Sequence, residues 1–189
     1  MRRRGRARSG RLVRLTVILG VVAALGVGGY LLLPAGQHLV EDTRDKLRKS
    51  KPVNPRRTSA TAQLPGHPVG NTTDRLRNRY WGVPGPGATV TYTFAKPFRL
   101  YDLIITNGAS NSPQEYARQG RALRIDLAAT TEDGHVVRRT LTLDDKPGPQ
   151  PQGLRISEVT TVRLTLASPA GLTGGRHLAL AEVEFFQRR

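Results

Sequence analysis

The sequence predicts an all-β fold, an antiparallel β-sandwich, preceded by one transmembrane helix. Three observations lead to this prediction. Apolar residues recur at every second position in short runs throughout the second half of the chain, and turn-forming residues lie between these runs. No stretch of helical period separates the runs, which is typical of a sandwich rather than an α/β fold. A single long uncharged segment near the N-terminus is the third observation.

The individual strands follow from this alternation. Val90, Tyr92 and Phe94 alternate with threonines, which is the pattern of a half-buried strand. Glu132-Asp133-Gly134 lies between two further alternating runs and therefore predicts the turn of a β-hairpin. The predicted strands number at least six and comprise residues 88–94, 100–106, 123–127, 137–143, 162–166 and 178–186.

The transmembrane helix is predicted over Leu15–Leu33, which holds 19 consecutive uncharged residues. At about 1.5 Å per residue, this length just crosses a hydrocarbon layer of roughly 30 Å. Seven arginines precede the segment and five basic residues follow it within twenty positions, so we expect a cytoplasmic N-terminus. The alternative is a cleaved signal peptide, but the apolar run is long for one and residues 33–37 offer no small-x-small cleavage site. A retained signal anchor is the preferred interpretation.

The helix and the residues after it set the predicted domain organisation. Gly20, Ala24 and Gly28 recur at every fourth position and form a small-residue face through which two helices could pair as a homodimer. Two prolines, Pro52 and Pro55, end a charged stalk that follows the helix. The predicted parts are a basic cytoplasmic tail (1–14), the transmembrane helix (15–33), the stalk (34–52) and the β-sandwich domain (53–189).

The cysteine content and the charge of the chain exclude several classes of function. The chain has no cysteine, which excludes thiol catalysis, disulfides and cysteine-ligated zinc. Lys and Arg number 30 against 14 Asp and Glu, but most of this excess flanks the apolar segment, since residues 1–57 carry 14 basic and 3 acidic residues. Residues 58–189 carry 16 and 11, and without a recognition helix this modest excess does not predict nucleic-acid binding.

Sequence patterns typical of catalysis are missing. The four histidines, at positions 38, 67, 135 and 177, are far apart and fit no H-E-x-x-H or H-x-x-x-H pattern. Neither a G-x-S-x-G elbow nor a phosphate-binding G-x-x-x-x-G-K-[ST] loop occurs. Asp144-Asp145 is an adjacent acidic pair, but the following Lys-Pro-Gly-Pro favours a solvated turn. The sequence therefore predicts a protein that is not an enzyme.

An arginine-rich segment precedes the single tryptophan. Arg75, Arg77 and Arg79 alternate and would share one face of an extended chain beside Trp81. That arrangement suits cation–π contacts or an anionic polymer. The alternative is a buried tryptophan surrounded by solvated or internally paired arginines.

Four motifs occur in a familiar order. They are Leu64-Pro65-Gly66-His67-Pro68, Asp74 with Tyr80-Trp81, Thr91-Tyr92-Thr93-Phe94-Ala95-Lys96-Pro97, and Ala181-Glu182-Val183-Glu184-Phe185-Phe186. Together they resemble the discoidin family, the coagulation-factor type-C or galactose-binding-like sandwiches. The nearest branch is the one named for the translocation domain of bacterial NAD glycohydrolase, which also occurs as the outer domain of small membrane-anchored bacterial proteins. The resemblance covers roughly Val53 to Arg189.

This resemblance implies an eight-stranded jelly roll with a non-catalytic binding role, usually toward carbohydrate. In relatives a calcium ion often joins the Asp74 motif to a glutamate of the last strand, which maps to Glu182. Here Asp74-Arg75-Leu76 stands where the family has Asp-Gly followed by Asp or Asn, so one ligand is missing. The hypothesis that replaces calcium is that Arg75 and Arg77 pair with Asp74 and Glu182. No other cofactor is expected.

Sugar sites in such sandwiches lie on loops at one end of the fold. The candidate ligand-binding residues are those whose amide, hydroxyl and guanidinium groups offer paired donors, namely Arg77, Arg79, Asn107, Ser110 and Asn111. An exposed loop without a ligand has the same composition.

The sequence as a whole predicts a single-pass protein of the bacterial cell membrane whose C-terminal domain lies outside. We expect that domain to bind an envelope glycan, a teichoic-type anionic polymer or a protein partner. The alternative is a structural or assembly protein that acts through protein–protein contacts of its sandwich, stalk and transmembrane helix.

Overall fold

A computed structural model of the chain describes residues 50–76 and 78–188. The predicted cytoplasmic tail, transmembrane helix and most of the stalk lie outside the described residues, as does Arg77. Within the described ranges no helix has the length and apolar character needed to span a bilayer.

Strands make up most of the described chain, which confirms the all-β prediction. Its strands are β1 (Ser50–Val53), β2 (Arg57–Ala60), β3 (Trp81–Val83), β4 (Thr89–Asn107), β5 (Arg121–Thr131), β6 (Val136–Thr142), β7 (Pro149–Ala170) and β8 (Leu178–Arg188). A short 3₁₀ helix (Val69–Thr73) and one α-helical turn, α1 (Pro113–Tyr116), connect them. The sheet begins at Ser50, so three residues that the sequence assigns to the stalk pair with β8.

All strand pairings are antiparallel, in the order β1-β8-β4-β7-β5-β6, with β2 beside β4 and β3 beside β8. The long strands β4 and β7 pass through both layers of the sandwich. One layer contains β2, β5 and β6 with the first half of β4, and the other contains β1, β3 and β8 with its second half. Register shifts between Thr93 and Asp102 mark the corner where β4 changes layer.

This corner explains a difference from the sequence prediction. Residues 88–94 and 100–106 were expected as two strands, and the structure joins them in one strand of 19 residues. Likewise, residues 162–166 are the middle of a 22-residue strand that begins at Pro149, where a solvated turn is expected. The shifted register bends these strands without interrupting their pairing.

The core lies between the two layers. Alternate residues of β4 are buried, with Val90 and Tyr92 at 0% exposure and Phe94 at 7%. The rings of Tyr92 and Phe94 meet Phe185 of β8 edge to face, at centroid distances of 4.9 Å and 5.0 Å. Trp81 is fully buried, as one sequence interpretation held, and its indole Nε1 donates to the carbonyl of Ala62 at 2.9 Å.

The predicted hairpin is confirmed. Strands β5 and β6 pair from Arg124 with Thr142 to Thr130 with Val136, and the turn between them contains Gly134 at a φ of +83°. Glu132 N donates to Glu158 O at 2.8 Å, so this turn lies next to the β4–β7 corner. We call that end of the sandwich the corner end. The opposite end, where β4 ends and β8 begins, comprises residues 62–68, 108–120, 143–148 and 171–177 and is called the loop end.

Candidate functional site

The structure places the predicted ligand-binding residues in different environments. Asn107 is fully buried, and its Nδ2 donates to the carbonyl of Ala122 at 2.8 Å. Ser110 is 4% exposed and accepts a hydrogen bond from Ser112 N, whereas its neighbour Asn111 is exposed. Arg79 presents 62% of its side chain to solvent. Of the candidates in the described part, Asn111 and Arg79 therefore reach the surface.

The arginine segment is not extended. Arg75 has a φ of +66°, and Asp74 Oδ1 accepts a hydrogen bond from Leu76 N at 2.8 Å, which closes a local turn. Arg79 N donates to the carbonyl of Leu76, so the chain turns back on itself. The described residues on either side of Arg77 therefore turn, and they do not have the extended conformation that a shared arginine face requires.

The residues that the structure describes do not fit a calcium ion. Asp74 Oδ2 lies 3.9 Å from Arg79 Nη1, and Arg75 Nη2 donates to Asn54 Oδ1 at 3.3 Å. Arg75 and the buried Glu182 line the same groove, so this groove contains a cationic side chain, which cannot serve as an oxygen ligand. Within residues 50–76 and 78–188 no group of three or more acidic or histidine side chains could hold a metal.

The loop end instead brings together three residues that the sequence keeps apart. His67, Tyr80 and His177 are all half-buried and form a cluster that we call the histidine–tyrosine cluster. The Tyr80 hydroxyl oxygen lies 3.0 Å from His67 Nε2 and 3.1 Å from His177 Nε2. One phenol thus bridges two imidazoles.

Main-chain pairing holds this cluster in place. Tyr80 directly precedes β3, and His177 directly precedes β8, which pairs with β3. The carbonyl of His67 accepts a hydrogen bond from Gly82 N at 3.2 Å. A Cβ on Gly82 would lie 3.0 Å from His67 Cβ and 3.3 Å from the ring of His177, so a glycine here allows the two histidines to approach the strand.

The pKa values of two members of the cluster, His177 and Tyr80, are shifted toward their neutral forms. Burial, together with the nearby His67, lowers the pKa of His177 below its usual value of 6.5. Burial, and secondarily the negative charge of Glu115, raises the pKa of Tyr80 above 10. A phenol has one proton, so Tyr80 donates to one imidazole and accepts from the Nε2–H of the other. Tyr80 and His177 therefore offer neutral donors and acceptors near neutral pH, which match sugar hydroxyls better than they match anions.

A second cluster fixes the neighbouring loops. Arg121 Nη2 donates to Asp145 Oδ2 at 2.7 Å, and Tyr116 Oη donates to Asp145 Oδ1 at 3.0 Å. The hydrogen bond from Arg121 lowers the pKa of Asp145, and burial raises the pKa of Tyr116 to about 12. Asp145 is thus an ion-pair partner, not part of a merely solvated turn. Its contacts join the 108–120 segment and the start of β5 to the 143–148 segment.

Sequence reasoning missed the histidine–tyrosine cluster. Its members are separated by 13 and 97 positions, and no short motif contains both histidines. The available signal was weak: His67 and Tyr80 each stand in a motif of the family resemblance, but neither was considered as a binding residue. Pairing of β3 with β8 is needed to bring His177 to them.

No family model matches the sequence, and no curated protein matches it. Solved structures do resemble the sandwich. The family 32 carbohydrate-binding module of AlyQ, in complex with 4,5-unsaturated mannuronic acid, has a TM-score of 0.58 at 12% identity over 72% of this chain and 98% of that one. In a longer truncated AlyQ with an alginate lyase domain, the match spans 34% of that chain.

Two further structures give the same result. An F5/8 type C domain from Bacteroides fragilis has a TM-score of 0.56 at 16% identity, over 75% of this chain and 98% of its own. The family 32 module of NanJ from C. perfringens, in complex with galactose, has a TM-score of 0.58 at 14% identity, over 73% and 99%. The described domain therefore has the β-sandwich fold of F5/8 type C domains and family 32 carbohydrate-binding modules.

Proposed function

We propose that this protein is a membrane-anchored, extracytoplasmic binding module that recognises carbohydrate with its loop end and has no catalytic activity. The histidine–tyrosine cluster carries this proposal. It presents hydrogen-bonding groups on half-buried aromatic rings, two of which, Tyr80 and His177, are held toward their neutral forms. Sugars need such a combination because their hydroxyls require both donors and acceptors, and their C–H faces pack on rings.

The fold supports the proposal. Modules of this fold have been solved with galactose, with GalNAc and with an unsaturated mannuronic acid. We extend carbohydrate binding to this chain because its loop end has suitable chemistry of its own. Asn111 and Arg79 remain candidate contacts, and Arg77 lies outside the described residues.

Membrane anchoring rests on the sequence. The 19 uncharged residues of Leu15–Leu33, with arginines before them, support a single signal anchor and a domain on the outer face of a bacterial membrane. The order of the four motifs supports a place in the branch named for the NAD glycohydrolase translocation domain. A ligand on the cell envelope would then lie within reach of the tethered domain.

Binding of the full-length protein in detergent to an array of neutral glycans tests the carbohydrate proposal. We expect saturable binding, and we expect Tyr80→Phe and His177→Gln to weaken it by about tenfold, since each removes a hydrogen bond or its partner. His135→Gln is the matched control because His135 is exposed at the corner end.

The melting temperature of each variant shows whether it is folded. Binding that Tyr80→Phe and His177→Gln leave unchanged would remove the loop end as the sugar site. The absence of binding to every glycan would overturn the proposal and favour the assembly alternative.

A further inference from the structure

A second feature lies on the outer face of β5, β6 and β7, away from the loop end. Arg163 of β7 pairs with Ala128 of β5, and Ala128 pairs with Arg138 of β6. Directly paired residues of antiparallel strands point to the same face. That face is the outer one, because Leu127 and Leu164, the chain neighbours of Ala128 and Arg163, are buried. Two arginines therefore flank a small alanine on the solvent side.

These residues bound a groove of about 360 Å³. Neighbouring strands lie about 4.8 Å apart, so the two arginine backbones are separated by about 10 Å. Ala128 forms the floor between them, and Thr140 and Thr165 line the groove beside it. Arg139 adds a third guanidinium at the rim, where its Nη1 donates to the carbonyl of Arg138 at 2.8 Å.

The charge of this arginine groove is not balanced locally. Arg138 and Arg163 are exposed, and in the part of the chain that the structure describes neither has a carboxylate within salt-bridge distance. Two unpaired guanidinium groups across a shallow groove form a site for an anion.

One acceptor lies at the end of the groove. Asp126 stands two residues from Ala128, accepts a hydrogen bond from Thr140 Oγ1 at 3.1 Å and lies 3.5 Å from Arg124. The Asp126 carboxylate is an acceptor for a hydroxyl, so a polymer with a hydroxyl beside its anionic group suits the groove. The groove thus combines an anion site with a hydroxyl acceptor, on a flat floor that a sugar ring could cover.

We propose that the arginine groove is a second glycan site, which binds an acidic sugar chain through its carboxylate or phosphate groups. Arg138 and Arg163 hold the anion, and Asp126 accepts a hydroxyl of the same or the adjacent unit. This site is distinct from the histidine–tyrosine cluster and does not require it.

The test measures binding of the full-length protein, in detergent and at about 0.15 M salt, to two acidic polymers, alginate and poly(glycerol phosphate). Dextran is the neutral polymer for comparison. We expect the double variant R138Q/R163Q to lose at least about tenfold in affinity for the acidic polymers. The control K96Q/R99Q removes the same charge from exposed positions outside the groove. The polymer that binds more tightly identifies carboxylate or phosphate as the preferred anion.

A substitution that leaves the charge unchanged distinguishes the effect of the groove's shape from the effect of its charge. Ala128→Leu fills the floor, so we expect it to weaken binding, whereas Ala167→Leu on the same face, beside Arg124, should not. Equal losses in R138Q/R163Q and K96Q/R99Q, or full affinity in Ala128→Leu, would overturn the proposal. Tyr80→Phe should retain affinity for acidic polymers, which distinguishes failure of this site from failure of the loop end.

Discussion

The imidazole of His67 stacks on the phenol ring of Tyr80, with ring centroids 4.0 Å apart and ring planes inclined by 15°. His177 lies on the same phenol, at a centroid distance of 5.6 Å, and approaches its hydroxyl. Two imidazoles therefore share one tyrosine. The pKa of one of them, His177, is lowered in the folded protein, so we expect the stability of the domain to depend on pH.

We expect stability to fall as the pH falls below about 6.5. The pKa of His177 is lowered in the folded protein, first by burial and then by His67, and is ordinary in the unfolded chain. The unfolded chain therefore binds more protons in this range, so the contribution of neutral His177 is complete above 6.5 and is lost at lower pH. Melting temperatures of wild type and His177→Gln between pH 5 and 8 measure this contribution of His177 to stability.

The control is His135→Gln, which removes an exposed histidine of the β5–β6 turn. We expect His177→Gln to flatten the pH dependence and His135→Gln to leave it unchanged. Identical slopes for wild type and His177→Gln would contradict the assigned cause.

Gly108 and Gly134 form a matched pair of glycine substitutions. Both have positive φ, +73° and +83°, but a Cβ on Gly108 would lie 2.6 Å from Tyr116 Cδ2, whereas Gly134 faces open space. We expect Gly134→Ala to cost about 1 kcal/mol for the backbone alone. Gly108→Ala should cost about 3 kcal/mol because the ring must also move. Urea denaturation of both variants measures these values, and equal losses would show that the Tyr116 contact is soft.

Two substitutions of Arg75 separate its side chain from its backbone. At a φ of +66°, Ala keeps the left-handed strain, while Gly removes it. Arg75→Ala should lower the free energy of unfolding slightly, through loss of the hydrogen bond to Asn54. Arg75→Gly should be about 1 kcal/mol more stable than Arg75→Ala. A less stable glycine variant would mean that the left-handed conformation is not strained.

Tyr92 tests a buried hydrogen bond of the core. Its hydroxyl donates to Thr72 Oγ1 at 3.0 Å, and Thr72 Oγ1 itself donates to the carbonyl of Val69. Tyr92→Phe should reduce the free energy of unfolding by about 1 kcal/mol. Tyr101→Phe is the control, because Tyr101 is half-buried and the structure shows its ring in contact with arginines. A loss of the same size in both variants would count against the Thr72 contact.

Local patterns predicted the strands well. The alternation around Tyr92 identified the buried face of β4, and Gly134 with its acidic neighbours identified the β5–β6 turn, because both signals lie within a few residues. The union of residues 89–107 in one strand depends on pairing with β7, whose paired residues are 43 or more positions away. Periodicity carries no information on such pairing, so the corner could not be read from the sequence.

The same limit applies to the sites. The amide of Asn107 makes this residue a candidate ligand-binding residue in the sequence. In the fold its side chain is buried, and it donates a hydrogen bond to the carbonyl of Ala122. His67 and His177 come together only through β3 and β8. Arg138 of β6 and Arg163 of β7 become neighbours only because each is the direct partner of Ala128 in β5. The sequence identifies the chemical type of each of these side chains. Which of them lie close together depends on strand pairing between distant parts of the chain.

The pairing of β1 with β8 has a consequence for the architecture of longer chains. Ser50 and Arg188 are direct partners, and such partners have Cα atoms about 5 Å apart. Both ends of the domain therefore leave from nearly the same point, at the edge opposite the loop end. A short linker could join them, with new termini opened at Gly134, to give a circular permutant. A domain whose ends lie this close together can be inserted into a loop of a host protein without separating the host segments on either side of the insertion.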